Sequence, residues 1–363
     1  GVDSPVSSAP LPREGWDQLL RPGMAPLSYG FLAPCQSTID GMRWAPLIID
    51  DACGAPSVRC PAFVHRVTLA ERGPTALRSI LGKVGVAVME TGNPCAPSAP
   101  ALVASERSWT DALWQHFLSD GEASALVVRD VVAGSRLAGA LQERGFARVG
   151  ERPTFVVPLP GETMQDYLRA MRADYRRRAR RTLELRLDID VDVDFVSLSS
   201  EMAELFALNA ARSTESRVEH VSPGVIAAWS ELPSSRAVVV SDSSTGARCM
   251  ALVLVDPPVL HFVRCGFRED DGRQLGLYRR LLYELVVLAY ETGCSFVDLG
   301  VTSAESKLRV GGLPVPLQLW AKHRRAWLNP ALRATARPSP PAIKRRVFRS
   351  ALEPDGSWYR PAS

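Results

Sequence analysis

An arginine-rich stretch is the strongest chemical feature of this 363-residue sequence. Residues 174–186 read DYRRRARRTLELR and contain six arginines. If the stretch is helical, the following arginines lie on one stripe or directly beside it: Arg169, Arg172, Arg176, Arg177, Arg180 and Arg181. Like charges at this spacing repel one another unless water or a bound anion compensates them. The stretch therefore predicts either a phosphate-binding surface or a solvated helix face.

A second basic segment lies near the C-terminus. Residues 306–352 contain no Asp or Glu and carry a charge of +11, to which Lys322, Arg324 and Arg325 contribute. Because the whole chain has a net charge of +4, the remaining residues carry −7. Such clustering indicates a surface that binds a polyanion, such as nucleic acid or a phosphorylated cofactor. Beyond residue 330 a solvated basic tail explains the same pattern.

Candidate acid–base groups are few. The five histidines form no recognisable pair, and His261 falls within an apolar run where a core histidine is the simpler interpretation. Asp298 follows an apolar run and is a candidate general base, although carboxylates at strand ends are often structural. A lone lysine, Lys307, follows the same run. The sequence has no G-x-S-x-G, H-E-x-x-H or Walker motif, which excludes the corresponding hydrolase and kinase classes.

The composition predicts a globular protein of two domains. Apolar residues make up 46% of the chain, and no apolar run is long enough to cross a membrane. The first residues resemble no secretion signal, so we expect a cytoplasmic protein. The seven cysteines show no C-x-x-C or Cys/His spacing and are expected to be reduced core residues without a metal.

Hydrophobic periodicity predicts an alternation of strands and helices. In the first half, strands are predicted at 81–90, 124–131 and 155–160, and helices at 108–120 and 135–144. In the second half, Thr163 and Asp166 form a capping box that opens one long helix through Ala179. The elements after it are a strand at 187–198, helices at 200–212 and 222–232, strands at 236–242, 247–256 and 259–267, a helix at 276–293, and strands at 295–300 and 315–323.

The order of these elements resembles that of the GNAT acyltransferase fold. The helix ending YRRRARR, the unit LYRRLLYELVVLAYETGCSFVDLG, the stretch SKLRVGG and the closing PVPLQLW resemble the FemAB-like branch. That branch includes the peptidoglycan peptidyltransferases that use aminoacyl-tRNA. The likeness covers residues 150–325, and the first half only in outline. It implies an α/β (α+β) fold with two GNAT-like domains in tandem, each a mixed central sheet flanked by helices.

The resemblance also implies domain boundaries. We expect a flexible tail at 1–20, an N-terminal GNAT-like domain at 21–158 and a C-terminal acyltransferase domain at 159–330. A basic, proline-containing tail is expected at 331–363.

In GNAT-like proteins two central strands diverge, and the acyl group lies between them while a backbone N–H of the fourth strand binds the oxyanion. The resemblance places the reacting carbonyl near Cys265, Gly266 and Phe267, opposite Asp298. Lys307 matches a lysine of FemAB-like proteins, which implies contact with the donor's 3′ end or stabilisation of transfer by a compact positive charge. Arg309 is assigned to the donor with it. An ordinary surface lysine is the alternative for Lys307.

The coenzyme A signature of acetyltransferases is incomplete in this sequence. The signature R/Q-x-x-G-x-G/A opens the helix after the fourth strand, where backbone N–H groups bind a pyrophosphate. Arg273 and Gly276 match it, but Tyr278 replaces its small last residue. A bulky side chain at that place obstructs close approach of the backbone.

From these features we expect an N-acyltransferase that forms an amide between an activated acyl or aminoacyl donor and an amine acceptor, without a tightly bound cofactor. Acyl-tRNA is favoured as donor. The expected RNA-binding residues are Arg172, Arg176, Arg177, Arg180, Arg181, Lys322, Arg324 and Arg325. One alternative is an acyl-CoA-dependent N-acyltransferase. Another is a non-catalytic protein that binds RNA or an anionic surface.

Overall fold

A computed structural model describes residues 10–68, 85–96, 102–103, 106–192, 194–212, 220–268, 276–334, 346–350 and 352. The strands are β1 (Arg43–Trp44), β2 (Leu47–Asp50), β3 (Pro56–Cys60), β4 (Ala62–Thr68), β5 (Gly85–Thr91), β6 (Leu102–Val103), β7 (Ala125–Val132), β8 (Ala147–Pro158), β9 (Asp188–Asp192), β10 (Ser235–Asp242), β11 (Ala247–Asp256), β12 (Val259–Phe267), β13 (Phe296–Asp298) and β14 (Leu313–His323). The α-helices are α1 (Tyr29–Leu32), α2 (Glu106–Asp120), α3 (Arg136–Glu143), α4 (Met164–Ala170), α5 (Ala173–Leu183), α6 (Ser199–Arg212), α7 (Pro223–Ser230), α8 (Leu277–Glu291), α9 (Ala304–Arg309) and α10 (Asn329–Ala334).

The described strands form one large mixed sheet and one small sheet. The large sheet has eleven strands in the order β1-β4-β5-β7-β14-β8-β13-β12-β11-β10-β9, and the small one has the order β2-β3-β6. Each half of the chain contributes one parallel pair, β5 with β7 and β12 with β13. A helix connects the two strands of each pair, α2 in the first half and α8 in the second. The predicted α/β fold with two similar halves is confirmed.

The two halves exchange their last strands. Strand β8, from the first half, lies between β13 and β14 of the second half. Strand β14 in turn lies between β8 and β7. A boundary near residue 158 therefore separates two segments of sequence whose strands hydrogen bond within one sheet.

The second half buries side chains on both faces of the sheet. Along β11, Ala251 and Val253 pack on the face covered by α8, whereas Leu252 and Leu254 pack on the opposite face with residues of α6 and α7. This alternation is the expected consequence of a period of two in a strand with both faces covered.

The N-terminal segment packs on the second half. Phe31 stacks on Trp229 of α7 with ring centroids 4.7 Å apart, and the Trp229 indole donates to the Phe31 carbonyl at 2.9 Å. The Ala25 N–H donates to Asp256 at 2.8 Å. This early part of the chain therefore covers the sheet face opposite α8.

The helix predicted from Thr163 onward is divided in two, so the prediction of one long helix is wrong. The capping box of Thr163 and Asp166 opens α4 as expected. Met171 then adopts an extended conformation and pairs with Phe348 in an isolated antiparallel bridge, and the Arg172 N–H donates to the Val347 carbonyl at 2.9 Å. Pairing with a distant segment outweighs the local helical periodicity here.

Part of the segment 331–363 belongs to the core. Val347 and Phe348 are 2% and 3% exposed, and the Phe348 ring contacts Tyr167 edge-on at 5.6 Å. Residues 329–334 form α10. The basic segment is thus anchored to the second half at two apolar side chains.

Candidate active site

The parallel strands β12 and β13 diverge, as the GNAT resemblance predicts. They pair only at Val259–His261, while β12 continues along β11 to Phe267. Among the described residues, no strand pairs with residues 262–267 on the β13 side. Backbone groups at this edge are thus not used by a neighbouring strand, and those that no side chain contacts are available to a ligand.

Lys307 lies in the short helix α9, which the sequence analysis did not predict. The Gly311 N–H donates to the Leu308 carbonyl at 3.1 Å, and the Gly312 N–H donates to the Lys307 carbonyl at 2.9 Å. Gly311 has φ +92°. These bonds form a Schellman motif, so the two glycines of SKLRVGG end α9 at Arg309, two residues after Lys307.

Lys307 is buried, with 1% of its surface exposed. Its Nζ lies 5.7 Å from the centroid of the Phe262 ring, at the start of the divergent part of β12. Burial raises the pKa of the neighbouring Cys265 thiol to about 11, although the positive charge of Lys307 opposes this effect. The lysine and the thiol therefore lie on the same side of β12, and the thiol is protonated at neutral pH.

The side chain of Tyr278 closes the site beside α8. Its ring lies 5.4 Å from that of Phe267, and its hydroxyl hydrogen bonds with Ser303, the residue before α9. Burial raises the pKa of the Tyr278 hydroxyl. Gly276 precedes α8 with φ +69°, whereas Arg273 falls outside the described residues. Tyr278 therefore fills the place where the coenzyme A signature has a small residue.

Asp298 is buried at the end of β13. Its Oδ1 accepts from the Thr154 hydroxyl at 2.7 Å and from the Gly300 N–H at 3.0 Å, and its Oδ2 lies 3.9 Å from Nδ1 of His261. Burial opposes ionisation, but these partners lower the pKa of the carboxyl group. A carboxylate of lowered pKa is a weak base, so this arrangement favours a positioning role for Asp298. His261 also bonds the Gly23 carbonyl at 2.9 Å.

Gly266 and Cys265 contact α6. A Cβ atom on Gly266 would overlap the backbone of Leu205, so glycine permits the close approach of this helix. Asn209 of the same helix donates to the Cys265 carbonyl at 3.1 Å. Asn209 was not identified from the sequence, since it belongs to no motif of charged residues.

The arginines of α5 form an exposed surface. Arg177, Arg180 and Arg181 are exposed and Arg176 is partly so, and Arg172, the residue before the helix, is exposed as well. Arg177 pairs with Asp174 at 2.9 Å. Arg309, in α9, pairs with Glu305 at 2.6 Å. Within the described residues, the other named arginines of α5 have no carboxylate at ion-pair distance.

Tertiary structure places the second basic segment beside α5. The bridge between Met171 and Phe348 brings the exposed residues Arg346 and Arg349 next to Arg172. We call Arg172, Arg176, Arg180, Arg346 and Arg349 the arginine surface. A Cβ atom on Gly311 would lie 2.5 Å from the Phe348 ring. Phe348, which lies between Arg346 and Arg349, therefore packs against the glycine turn that ends α9.

An unanticipated arginine, Arg280 of α8, fixes the end of α5. Its Nη1 donates to the carbonyls of Leu183 and Leu185, both at 2.9 Å, and its Nε donates to Glu284 at 2.5 Å. These bonds satisfy carbonyls at the helix end that lack helical partners. The sequence contained the signal in LYRRLLYE, where an arginine precedes a glutamate by four residues.

Lys322 and Arg324 lie far from this surface and contact the first half. Lys322 donates to the Arg144 carbonyl at 2.7 Å and lies 4.2 Å from the Trp114 ring centroid. Arg324 donates to the carbonyls of Phe117, Leu118 and Ala123 near the end of α2. At 3.3 Å per residue, Lys322 is about 30 Å along β14 from its beginning. Of the three predicted RNA-binding residues here, only Arg325 is exposed.

In the part of the chain that the structure describes, no helix has the length and apolarity needed to cross a bilayer. All seven cysteines are free, and Cys53 is exposed, so the prediction that every cysteine is a core residue is wrong for Cys53.

Known structures share this architecture, although sequence comparison finds no relative. No protein-family model matches the chain, and no curated protein matches it in sequence. FemX has a TM-score of 0.59 at 11% identity, with 89% of this chain and 98% of FemX covered. L-PGS from Bacillus licheniformis has a TM-score of 0.52 at 10% identity, with 92% and 98% covered. A conserved protein of unknown function from Bacteroides thetaiotaomicron gives 0.53 at 10% identity, with 87% and 99% covered. The chain therefore has the FemAB-like form of the GNAT fold.

Proposed function

We propose that the protein is an N-acyltransferase that forms an amide between an activated acyl or aminoacyl group and an amine acceptor. The observation that carries this proposal is the burial of Lys307 beside the point where β12 and β13 diverge. Acyl transfer develops a negative charge on the carbonyl oxygen, and a positive charge held at this place can stabilise it.

The reaction needs few groups from the protein. The acceptor nitrogen attacks the acyl carbon in the gap and the oxyanion forms. The C–O bond of the ester or the C–S bond of the thioester then breaks, and the proton lost by the nitrogen ends on the leaving alcohol or thiol as the amide forms. In a strand, the N–H and C=O of one residue point to the same edge. Because Asn209 contacts the Cys265 carbonyl, we assign the Cys265 N–H as an oxyanion donor. Lys307 supplies positive charge on the same side of the strand.

Acyl-tRNA is the donor that we favour. The arginine surface collects five cations from two distant segments of the chain, as binding of a run of phosphates requires. The surface adjoins α9 through the contact between Phe348 and Gly311. A polynucleotide on the arginines can thus place its acylated 3′ end near Lys307.

Acyl-CoA is the second candidate donor. Gly276 precedes α8 with a positive φ, and it matches the first glycine of the signature. Tyr278 opposes this candidate because its ring and hydroxyl occupy the space beside the helix start. The arginine surface would then serve an anionic acceptor.

The test compares donors directly. Purified protein is given bulk tRNA acylated with a mixture of radiolabelled amino acids, together with a pool of small amines, peptides and lipids. We expect amide products that ribonuclease pretreatment abolishes and added acyl-CoA does not restore. Ribonuclease-resistant turnover with acyl-CoA alone would instead support the second donor.

Absence of transfer from either donor, with retained binding to RNA, would contradict an enzymatic function. The chain would then be a binding protein on a GNAT scaffold. Lys307→Ala serves as the matched inactive variant in both arms.

A further inference from the structure

Arg264 lies next to the reacting centre but on the opposite face of the sheet from Lys307. It precedes Cys265 in β12 and pairs with Leu252 of β11. Leu252 packs on the face covered by the N-terminal segment and α6, whereas Cys265 packs on the α8 face. Neighbouring residues of a strand point to opposite faces, so Arg264 lies on the face away from Lys307.

The guanidinium of Arg264 lacks a counter-ion in the described part of the chain. Its Nε is buried and has no hydrogen-bond partner, and it forms no ion pair with a carboxylate of the residues that the structure describes. Burial lowers the pKa of Arg264, since the charged form loses hydration. The residue as a whole remains partly exposed. An unpaired charge at a site of this kind is costly to the free protein and is available to a ligand.

The groups around Arg264 are thiols. Its charge acts on Cys35, Cys95 and Cys265. Burial opposes ionisation of Cys95, but its hydrogen bond with Cys35 and the charge of Arg264 lower the pKa of the Cys95 thiol. The neighbouring Arg129 already lies 3.4 Å from Glu90. Arg264 is therefore the cation of this group that no carboxylate compensates among the described residues.

We propose that Arg264 binds a carboxylate group of the acyl acceptor. This inference rests on the proposed acyl transfer and specifies its second substrate as a small amine that also carries a carboxylate, such as an amino acid or a short peptide. One guanidinium supplies a single charge and a planar pair of donors, which matches a carboxylate better than a phosphate dianion.

The two faces of β12 divide the substrates. Lys307 and Tyr278 lie on the face of α8, where the donor is expected. The acceptor then enters from the face of Arg264, with its amine at the gap between β12 and β13 and its carboxylate on the guanidinium. Donor and acceptor therefore approach the gap from opposite faces of the sheet.

The test measures binding without a donor, so it does not depend on turnover. Full-length protein is titrated calorimetrically with the twenty standard amino acids and a set of dipeptides, each beside its carboxamide. We expect at least one free acid to bind at least tenfold more tightly than its amide. Arg264→Gln should remove this preference, whereas Cys95→Ser, which removes one of the surrounding thiols but keeps the arginine, should retain it.

Stability provides an independent check. If Arg264 exists for a ligand, Arg264→Gln should melt at the same temperature as the wild type or higher, because an unpaired buried charge is removed. A lower melting temperature would mean that the arginine supports the fold through the thiols, and would overturn the proposal. Arg264→Lys, which keeps the charge but loses the paired donors, should bind acids with intermediate affinity.

Equal affinity for the free acids and their amides across the set would also overturn the proposal that Arg264 binds a carboxylate. The same holds if neither the acids nor the amides bind. Competition by inorganic phosphate at a lower concentration than acetate would assign the site to a phosphorylated ligand and contradict the carboxylate. Acid preference without transfer from any donor would contradict the proposed acyl transfer and leave this site standing. Transfer of an acyl group without a preference for free acids would contradict the carboxylate site at Arg264 and leave the proposed acyl transfer standing.

Discussion

Lys307 is the residue on which the proposed chemistry depends most. Replacing it by Ala or by Met should lower kcat/KM at least tenfold, which corresponds to about 1.4 kcal/mol of transition-state stabilisation. Met fills nearly the same volume without the charge, so Lys307→Met separates the loss of charge from the loss of packing that Lys307→Ala also causes. Steady-state kinetics and thermal melts of both variants check this. Unchanged turnover in Lys307→Met would show that the lysine only packs.

Cys265 illustrates how burial decides chemistry at a single residue. Its pKa of about 11 means that the thiol is neutral at pH 7, so a covalent acyl–cysteine intermediate is not expected and Cys265→Ala should keep its turnover within about threefold. Because the thiolate fraction rises tenfold per pH unit below the pKa, alkylation of Cys265 by iodoacetamide should rise tenfold per unit from pH 7 to 9.5. Peptide mass spectrometry follows this reaction beside exposed Cys53. A plateau below pH 9 would contradict the raised pKa.

Helix α9 is held in place by its last turn, and this can be tested at Gly311. Gly311→Ala combines a left-handed φ of +92° with contact between the new Cβ and the Phe348 ring. Strain of about 1–2 kcal/mol and overpacking of about 1–3 kcal/mol should both lower the free energy of unfolding. Urea denaturation measures the change.

Gly293→Ala is the matched control for that variant. Gly293 follows α8 with φ +72° and has open space around its Cβ position. It should show the backbone strain alone. Equal losses in the two variants would mean that Phe348 moves aside and does not fix α9.

The arginine surface is formed by two separate segments of the chain, α5 with the residue before it and the segment 346–350. Replacing Arg172, Arg176 and Arg180 by Gln should flatten the plot of log affinity for RNA against log salt by about two to three units, since each neutralised phosphate contributes about 0.7–0.9. Folding should be preserved because these side chains are exposed or partly exposed. Filter binding at several salt concentrations measures the slope.

The control for the triple variant replaces Arg21, Arg66 and Arg136, three exposed arginines of the first half, by Gln. It has the same net charge but should keep the slope. Equal slopes for all three proteins would make α5 a solvated helix face. Loss of binding to a phosphorylated acceptor alone would assign α5 to that substrate.

On the scale of the whole molecule, the exchange of β8 and β14 should join the two halves into one cooperative unit. Leu126 in β7 and Leu252 in β11 are both fully buried, in different cores. Replacing either one by Ala should cost about 2–5 kcal/mol and shift the same single unfolding transition. Urea unfolding followed by tryptophan fluorescence and by circular dichroism provides two probes. A second, separate transition in either variant would show that the halves unfold independently.

Much of the second half was predictable from sequence because its signals are local. Apolar alternation placed β10, β11 and β12, the periodic run from residue 277 placed α8, and Ser222 with Pro223 marked the start of α7. Each pattern reports how a segment of five to fifteen residues buries one face or both. The order of these elements was sufficient to indicate the GNAT fold.

The sequence by itself determined the elements, the charged stretches and the presence of a lysine after β13. Tertiary structure alone decided which charges meet: the Met171–Phe348 bridge joins two basic segments that are far apart in the chain, while Lys322 and Arg324 are taken up by contacts with the first half. It also buried Lys307 and left Arg264 without a carboxylate partner among the residues that the structure describes. The reason is physical. Periodicity depends on neighbours within a few residues. The partner of a charged side chain depends instead on which distant segments pack together, and these segments are more than a hundred positions apart in the sequence.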